Sequence, residues 1–402
     1  MDHFKINEPD FLRAPTPTLT RMRETGPLVA IKIPFIGKCW VTTTDAAARA
    51  LLKDEVHFVR NPANAGGRDI SRYYWFLPRF MGVLNRNILS LDGTEHARLR
   101  KAVDQHFSRG AIDALQPEIK QIADDLLDRL DSTQPIDITK EYAQILPLDV
   151  ISKLLGILPD QRTELARAIA PISEPTTTWN MLRAMPGLYK SLKLLRAEIE
   201  TIRKTPRAGL LCELIHDAEN NLTDDELVSL SFVLFVAGHE TTLHLISDAI
   251  FGLTENTQHR AIFQSNDSAT TFRAVEKYMR FFSPVMMTKP LFVRKDHVFH
   301  GQAVKQGEKI LALLIAANHD PERFENAQIA ELGRRPNAHI GFGFGPHVCL
   351  GMHLARAEAQ IALDRLFQRY ADVQRAPQDA APEYTQRFGM RGMRRLMVQL
   401  KP

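Results

Sequence analysis

The 402 residues hold 44% apolar and 24% charged side chains, a globular mix that excludes disordered, fibrous and disulfide-stapled classes. A formal net charge of +4, with no long run of like charge, excludes a nucleic-acid tail. Cys39, Cys212 and Cys349 are odd in number and far apart, so they form no disulfide framework and fit a reducing compartment.

The first residues lack the apolar run of a signal peptide. The longest nearly apolar stretch, 227–238, contains two serines and is too short to span a bilayer. A soluble cytoplasmic protein without a membrane anchor is the expectation. In chain order, residues 1–25 are punctuated by Pro and Thr and read as irregular. Residues 28–33 and 39–43 are β-rich runs around Pro34-Phe35-Ile36-Gly37, a hairpin signal. Residues 45–52 are Ala-rich and helical. The connection 61–87 carries Tyr73, Tyr74, Trp75, Phe76 and Phe80. It is either a functional loop or a short helix packing its aromatics. From 95 to 285 helical spacing dominates, clearest in 111–130, 143–155 and 188–202. Pro171 and the stretch 175–186 suggest a Thr-rich bend able to act as a flap. Residues 291–298 and 304–314 read as β, 320–345 as irregular, 351–370 as an amphipathic helix, and the tail as short strands. No repeat or linker divides the chain. One domain over 1–402 is expected, mainly α with small β-sheets (α+β). Its β-rich part covers about 26–60 and 285–315 plus the C-terminal strands, and its helical part about 95–283 and 351–370.

Thr223-Asp224-Asp225-Glu226 is a capping box that starts a helix reaching about residue 253. That is roughly thirty residues, or about 45 Å. Its middle reads Ala237-Gly238-His239-Glu240-Thr241-Thr242. Ala237 and Gly238 leave room for a flat group to approach the backbone. Gly238 costs about 1 kcal/mol against Ala, so a packing or functional reason is expected. Apolar neighbours on both sides argue against a solvated surface for Glu240 and Thr241, and Thr can bond back to an earlier carbonyl and loosen the helix.

Phe342-Gly343-Phe344-Gly345-Pro346-His347-Val348-Cys349-Leu350-Gly351 sets one cysteine in a glycine-rich loop before a helix. Glycines let the backbone curl so that several N–H groups aim at one sulfur, favouring the thiolate that binds metal. A thiolate so held suits iron. Upstream, Asp92-Gly93-Thr94-Glu95-His96-Ala97-Arg98-Leu99-Arg100 precedes a helix, and His96 and Arg100 share one face at i,i+4, a pairing that suits a carboxylate.

Together these motifs resemble the cytochrome P450 superfamily, most specifically at the cysteine loop and more weakly over nearly the whole chain. The resemblance implies a P450 fold with heme b between the long helix and the loop. Cys349 would be the axial thiolate, with Phe342 near the sulfur and Gly343 and Gly351 shaping the loop. His96, Arg100 and His347 would hold heme propionates. A fourth donor falls at Lys289, or at Arg294 in another register. Ala237 and Gly238 would form the opposite wall, Thr241 would bond the activated oxygen, and Glu240 would feed protons from solvent. Cleaving O–O takes two protons, while the thiolate pushes electron density from the other side. His239 would turn away from the heme.

One departure stands out. Where the family has Glu-x-x-Arg, this chain has Lys277 ahead of Arg280. Glu276, four residues before Arg280, is then expected to pair with Arg280, Arg334 or Arg335. By position, Tyr74, Phe76, Phe80, Phe232, Val233, Val236, Val285, Met286, Met287, Phe388 and Met390 would line a largely apolar substrate pocket. Arg68 and Arg72 are either carboxylate binders or solvated surface. Arg98, Lys101, His353 and Arg356 would form a basic patch for an acidic electron donor, or be ordinary surface charges. The implied activity is monooxygenation by a monomer, with electrons from a ferredoxin or similar protein and its reductase. A peroxide-driven or non-oxygenating heme-thiolate enzyme and a non-catalytic heme sensor are the alternatives. Glu240-Thr241 favours the first.

Overall fold

Helices dominate the middle of the chain in the computed structural model, which describes residues 4–34, 36–73, 78, 80–173, 178–217, 219, 221–265, 267–377, 382–385 and 387–401. The central helix spans Asp224–Glu255. Thr223 Oγ1 accepts from Glu226 N at 3.2 Å and Glu226 Oε2 accepts from Thr223 N at 3.0 Å, so the capping box closes as the sequence predicts. Helices Ile145–Leu155, Thr178–Lys204, Ser268–Phe282 and Met352–Arg369 pack around it. Leu227, Val228, Leu230, Phe235, Leu245, Ile246, Ile250 and Leu253 are all buried, as expected of a helix with apolar residues on every side. By length and composition it could cross a membrane, but 56% of its apolar window is buried against the rest of the protein.

Gly238 has a packing reason. A Cβ there would come 2.7 Å from Ile151 Cγ1, so only glycine lets the central helix approach helix Ile145–Leu155 this closely. The expectation that Gly238 leaves room for a flat ligand is therefore corrected: its bare face meets Ile151.

The β part is a five-stranded sheet. Strands Leu28–Ile33 and Gly37–Thr42 form the antiparallel hairpin, with Ile31 opposite Cys39. Lys309–Leu311 adds in parallel, followed by Leu291–Val293 and Phe58–Val59. A smaller sheet joins Ile136–Asp137, Met397–Lys401 and Asp372–Arg375. The tail is fastened by Arg391, whose Nε donates to Leu12 O at 2.7 Å and Nη1 to Phe282 O at 2.9 Å.

Three segments differ from the sequence reading. Residues 1–25, expected to be irregular, hold the helices Pro9–Arg13 and Thr16–Thr25, each with a proline in its first turn where the missing N–H is not needed. The 61–87 connection contains a 3-10 turn, Pro62–Ala65, and short helices Ile70–Tyr73 and Met81–Asn85. Tyr74, Trp75 and Phe76 lie outside the described residues. The predicted bend at 175–186 is largely helix, because Thr178–Lys204 runs through Pro186. Burial of Ala184, Leu188, Leu192 and Leu195 outweighs the hydrogen bond that proline cannot make. Residues 174–177 lie outside the described residues.

Helix Ser268–Phe282 anchors the irregular stretch that leads to the cysteine loop. Arg280 is fully buried and donates to three carbonyls: Asn318 at 2.8 Å, Ala327 at 2.9 Å and Ile329 at 2.7 Å. Lys277 is 4% exposed and donates to the Arg334 carbonyl. Glu276 pairs with none of the three expected arginines. One residue around the helix from Lys277, it faces helix Met352–Arg369 and binds Arg356 bidentately at 2.8 and 2.9 Å, with His339 Nε2 at 3.4 Å. Burial would raise Glu276, but His339 and Arg356 outweigh it and hold the carboxyl at about 2. Arg334 instead pairs with Glu331 at 3.0 Å.

Lys277 thus sits among cations. Burial, then Arg280 and Arg334, push it from 10.5 down to about 8. Between those values the unfolded chain binds more protons than the fold, so this group's contribution to stability rises with pH there and is lowest below pH 8. Lys277→Met is expected to melt a few degrees above the parent at pH 7. The gap should narrow as the pH approaches 10.5. Thermal melts of both proteins across pH 7–10 check this, and a gap independent of pH rejects the account.

Candidate active site: the cysteine loop and the central helix

The cysteine loop is folded by its own backbone. Gly343 N donates to Ile340 O at 2.8 Å, Cys349 N to Phe342 O at 2.8 Å, and Val348 N to Gly345 O at 3.0 Å. Gly345 has φ +72°, and a Cβ on it would overlap the Leu52 carbonyl oxygen, so only glycine lets the loop abut helix Asp45–Lys53. Gly343 also has positive φ. The Phe342 ring lies 4.7 Å beneath the Arg356 guanidinium. Cys349 is exposed to solvent, yet protein surrounds its sulfur closely enough that burial dominates its titration. Both hold if the sulfur faces an interior cleft. Burial raises the thiol above its usual value, while the Gly351 N–H, Arg100 and Arg356 pull the other way. Gly351 supplies the N–H at this sulfur, not the several N–H groups expected from the sequence, and the loop alone does not lower the thiol. A metal ion that displaces the proton makes the thiolate.

Positive groups gather at one edge of the cleft. Asp92 does not cap helix Gly93–Asp104 with its side chain. Its carboxylate instead accepts from Arg60 N at 2.7 Å and Asn61 N at 2.8 Å, fixing Arg60 in place. Arg60 is buried, its Nη1 donates to Lys289 O at 3.1 Å, and its Nε has no partner. The His96 and His347 rings lie 3.9 Å apart between centroids. Arg100 Nη1 donates to Val348 O at 2.7 Å and its Nε to Asp104 at 2.7 Å. Burial, then Arg60 and other cations, push His347 down to about 2. Burial, then Arg60, push Lys289 down to about 8. Burial lowers Arg60 to about 10. Lys289, like Cys349, is open to solvent though walled by protein. Arg294 is exposed, and its backbone N donates to His57 O at 2.8 Å. Lys289 thus joins this cluster through Arg60, which binds its carbonyl. Arg60 was missed because it stands in a β-strand connection with no motif around it. The surplus of buried donors fits a ligand carrying carboxylates.

The central helix carries the other candidate residues. Ala237 is exposed midway along it while its neighbours Leu234, Phe235 and Glu240 are buried, which leaves an opening on that face. Thr241 lies one turn further on the same face, and its Oγ1 donates to Ala237 O at 2.9 Å. Glu240, 100° around the helix, is buried and ion-paired with Arg387. His239 Nδ1 lies 2.7 Å from Phe235 O. A carbonyl only accepts, so Nδ1 carries the proton.

Residues 271–396 match the family profile described as Cytochrome P450. The chain is 32% identical over 407 residues to the polyketide biosynthesis cytochrome P450 PksS of Bacillus subtilis, covering 97% of both proteins. The chain is a cytochrome P450. It is also 31% identical to the mycinamicin IV hydroxylase/epoxidase of Micromonospora griseorubida, over 94% of this chain and 93% of that protein. In fold it matches a myxobacterial P450, CYP267B1, solved with myristic acid, at TM-score 0.90 and 30% identity, covering 99% and 98% of the chains.

As a P450 it uses heme, and the residues present fit that group: the Cys349 sulfur with the Gly351 N–H beside it, the exposed Ala237 position on the central helix, and the buried Arg60 Nε without a partner. Among the pocket candidates, Phe232, Val233 and Val236 are half-buried on the central helix near Ala237. Val285 bridges to Met390, which brings those two stretches together. Phe388 is half-buried, while Met287 and Met390 are buried with only a small exposed edge. Met286 is fully buried beneath Ile31 and Leu313, so it packs the core and lines no open pocket. Phe80 lies edge-on to Tyr189 at 5.4 Å. Arg68 borders a separate cleft of about 1320 Å³ with Asp69, Met81, Arg86 and Thr223. The expected basic patch is reduced, because Arg98 is paired with Glu226 and Arg356 with Glu276.

A further cluster, Asp54, His57 and His297, places three candidate ligand atoms within 4.8 Å of one another. The two imidazoles are stacked at 4.1 Å, so their in-plane lone pairs run parallel instead of converging, and His57 Nδ1 is already 2.8 Å from Asp54.

Removing one charged, buried donor is worth about 1.5–3 kcal/mol. Arg60→Gln is therefore expected to speed heme loss to apomyoglobin roughly tenfold or more, and Arg294→Gln to leave it near the parent rate. The release rate followed at the Soret band checks both.

Proposed function

We propose that this P450 inserts one oxygen atom from O2 into a largely apolar small molecule. A ferredoxin-type protein and its reductase would supply electrons to a monomer in the cytoplasm. The overall balance is O2, substrate C–H, two electrons and two protons giving C–OH and water. The observation that carries the reading is the Thr241–Ala237 bond beside the Glu240–Arg387 pair at the opening of the central helix. Heme, when bound, supplies the iron that activates O2. Cys349 would ligate it, with His96, Arg100, His347, Lys289 and Arg60 holding its carboxylates.

The protein's own part is positioning and proton handling. Thr241 directs its hydroxyl proton to Ala237 O, so its lone pairs face the cleft and can accept from a protonated oxygen there. Glu240, buried one residue away, can take a proton from water and hand it to Thr241 Oγ1, whose own hydroxyl proton then leaves Ala237 O for the oxygen in the cleft. Phe232, Val233, Val236, Val285, Met287, Phe388 and Met390 would exclude water and orient an apolar chain or ring. The polyketide biosynthesis and mycinamicin IV relatives, and the myristic acid in the matched structure, support a substrate of that kind. The intact Glu240–Thr241 stretch favours oxygenation over a sensor role.

Glu240→Gln is expected to slow product formation by about a hundredfold or more while leaving substrate affinity near the parent value. Thr241→Ala should shift electron flow from product to peroxide. Both are read by comparing product formed with donor consumed, using a plant-type ferredoxin and its reductase. Reduced protein with carbon monoxide should show the thiolate-type Soret band. Persistence of that band in Cys349→His would overturn the ligand assignment.

A further inference from the structure

The support behind the cysteine loop converges on one carboxylate. Glu276, on helix Ser268–Phe282, receives two nitrogens of the Arg356 fork, Nε at 2.8 Å and Nη2 at 2.9 Å. His339 Nε2 faces the same carboxylate at 3.4 Å. His339 Nδ1 accepts from Gly341 N at 3.1 Å, so the ring carries a proton on Nε2, on the side of Glu276. The Glu276 carbonyl is used as well, accepting from Asn337 Nδ2 at 3.0 Å. The side chains are largely withdrawn from water, at 16% exposure for Glu276, 20% for Arg356 and 3% for His339.

Both partners of Glu276 also touch the Phe342 ring. The Arg356 guanidinium lies over it at 4.7 Å, and the His339 ring centre is 6.0 Å from its own. Phe342 O takes the Cys349 N–H at 2.8 Å, so what fixes Phe342 fixes one side of the turn that carries the sulfur. Gly341 packs against Met279, nearly one turn along the helix from Glu276: a Cβ on Gly341 would lie 3.1 Å from Met279 Cε. The segment 337–342 is thus held by one short stretch of helix Ser268–Phe282. Among the described residues, Glu276 is the acid paired with Arg356. Arg356 is one of the cations that act on the Cys349 sulfur, and a paired acid offsets part of its field.

We propose that Glu276 is the positioning residue of the cysteine loop: through Arg356 and His339 it clamps Phe342, and by pairing with Arg356 it sets how much positive charge the Cys349 sulfur feels. The inference rests on the ligand role given to Cys349 above. Lys277, next to Glu276, cannot do this, because an ammonium group accepts from no arginine. Loss of the carboxylate has two separable effects. The loop opens more readily, and Arg356 is left as an uncompensated cation. Loss of Arg356 opens the loop too, but it takes the cation away.

The test compares heme-loaded parent with E276Q, R356Q, R356K and E276Q/R356Q. The readouts are the ferric–ferrous midpoint potential and hydrogen–deuterium exchange of residues 340–351. A nearby cation favours the reduced form, which carries one positive charge fewer. E276Q should therefore raise the potential and R356Q lower it, each by roughly tenfold in the reduction equilibrium, about 59 mV for one electron. The double variant should return toward the parent potential. R356K keeps the charge but not the flat fork, so its potential should stay nearer the parent than that of R356Q, while exchange still quickens. E276Q should speed exchange in 340–351 by about tenfold, as loss of one charged hydrogen bond allows, and leave the central helix near the parent rate. Potentials that do not move, or that move in the same direction in E276Q and R356Q, overturn the proposal. So does unchanged exchange in 340–351. If E276Q does not hold heme, R356Q and R356K carry both readouts. If the reduced parent with carbon monoxide lacks the thiolate-type band, the ligand role of Cys349 fails and the charge effect with it, and the exchange rates alone uphold or overturn the clamp.

Discussion

Positive charge withdrawn from water needs a counter-charge, and that requirement shapes one edge of this protein. Arg60, His96, Arg100, Lys289 and His347 come from four places in the chain and gather with Asp92 and Asp104 as the nearby acids. Asp92 is occupied with backbone N–H groups and Asp104 with Arg100. Burial, and then Arg60 and its neighbours, hold His347 and Lys289 far from their ordinary titration. Such a cluster is unfavourable alone and becomes favourable once a carboxylate-bearing ligand fills the cleft. Of these cations Arg100 also acts on the cysteine sulfur, where with Arg356 it favours the thiolate.

The central helix divides its work by angle. Ala237 and Thr241 share the cleft face, Gly238 meets Ile151, and Glu240 turns to the C-terminal segment. Four neighbouring residues therefore have three different environments, because each step rotates about 100°. The close approach at Gly238 also fixes the depth at which the helix sits, and through it the position of Thr241. A methyl group at Gly238 would be felt at the cleft even though it points away from it.

On the other side of the cysteine loop the chain has exchanged one support for another. Lys277 cannot accept from arginines, so Arg280 and Lys277 hold the irregular stretch through carbonyls, while Glu276 reaches Arg356. Arg356 in turn covers Phe342, the residue whose carbonyl receives the Cys349 N–H. The link between helix Ser268–Phe282 and the sulfur loop survives in a different register. It also draws Arg356 out of the surface charge available to an electron donor.

Local chemistry in the sequence determined the capping box, the hairpin, the helical spacing and the glycine-rich cysteine loop, because each depends on residues a few positions apart. The candidacy of Cys349 as a ligand and the placing of His96 and Arg100 on one helical face were legible for the same reason. Tertiary structure decided what distance in sequence conceals. Arg60 and Arg387 belong to no motif, and only folding brings them to His347 and Glu240. Glu276 chose Arg356 over nearer arginines because helical phase pointed it at another helix. Met286 and Gly238, apolar and small, suit a pocket wall and a packed core equally well, and burial assigned both to the core. The thiol of Cys349 titrates according to burial as well as its loop, a balance that exists only when the whole fold surrounds it.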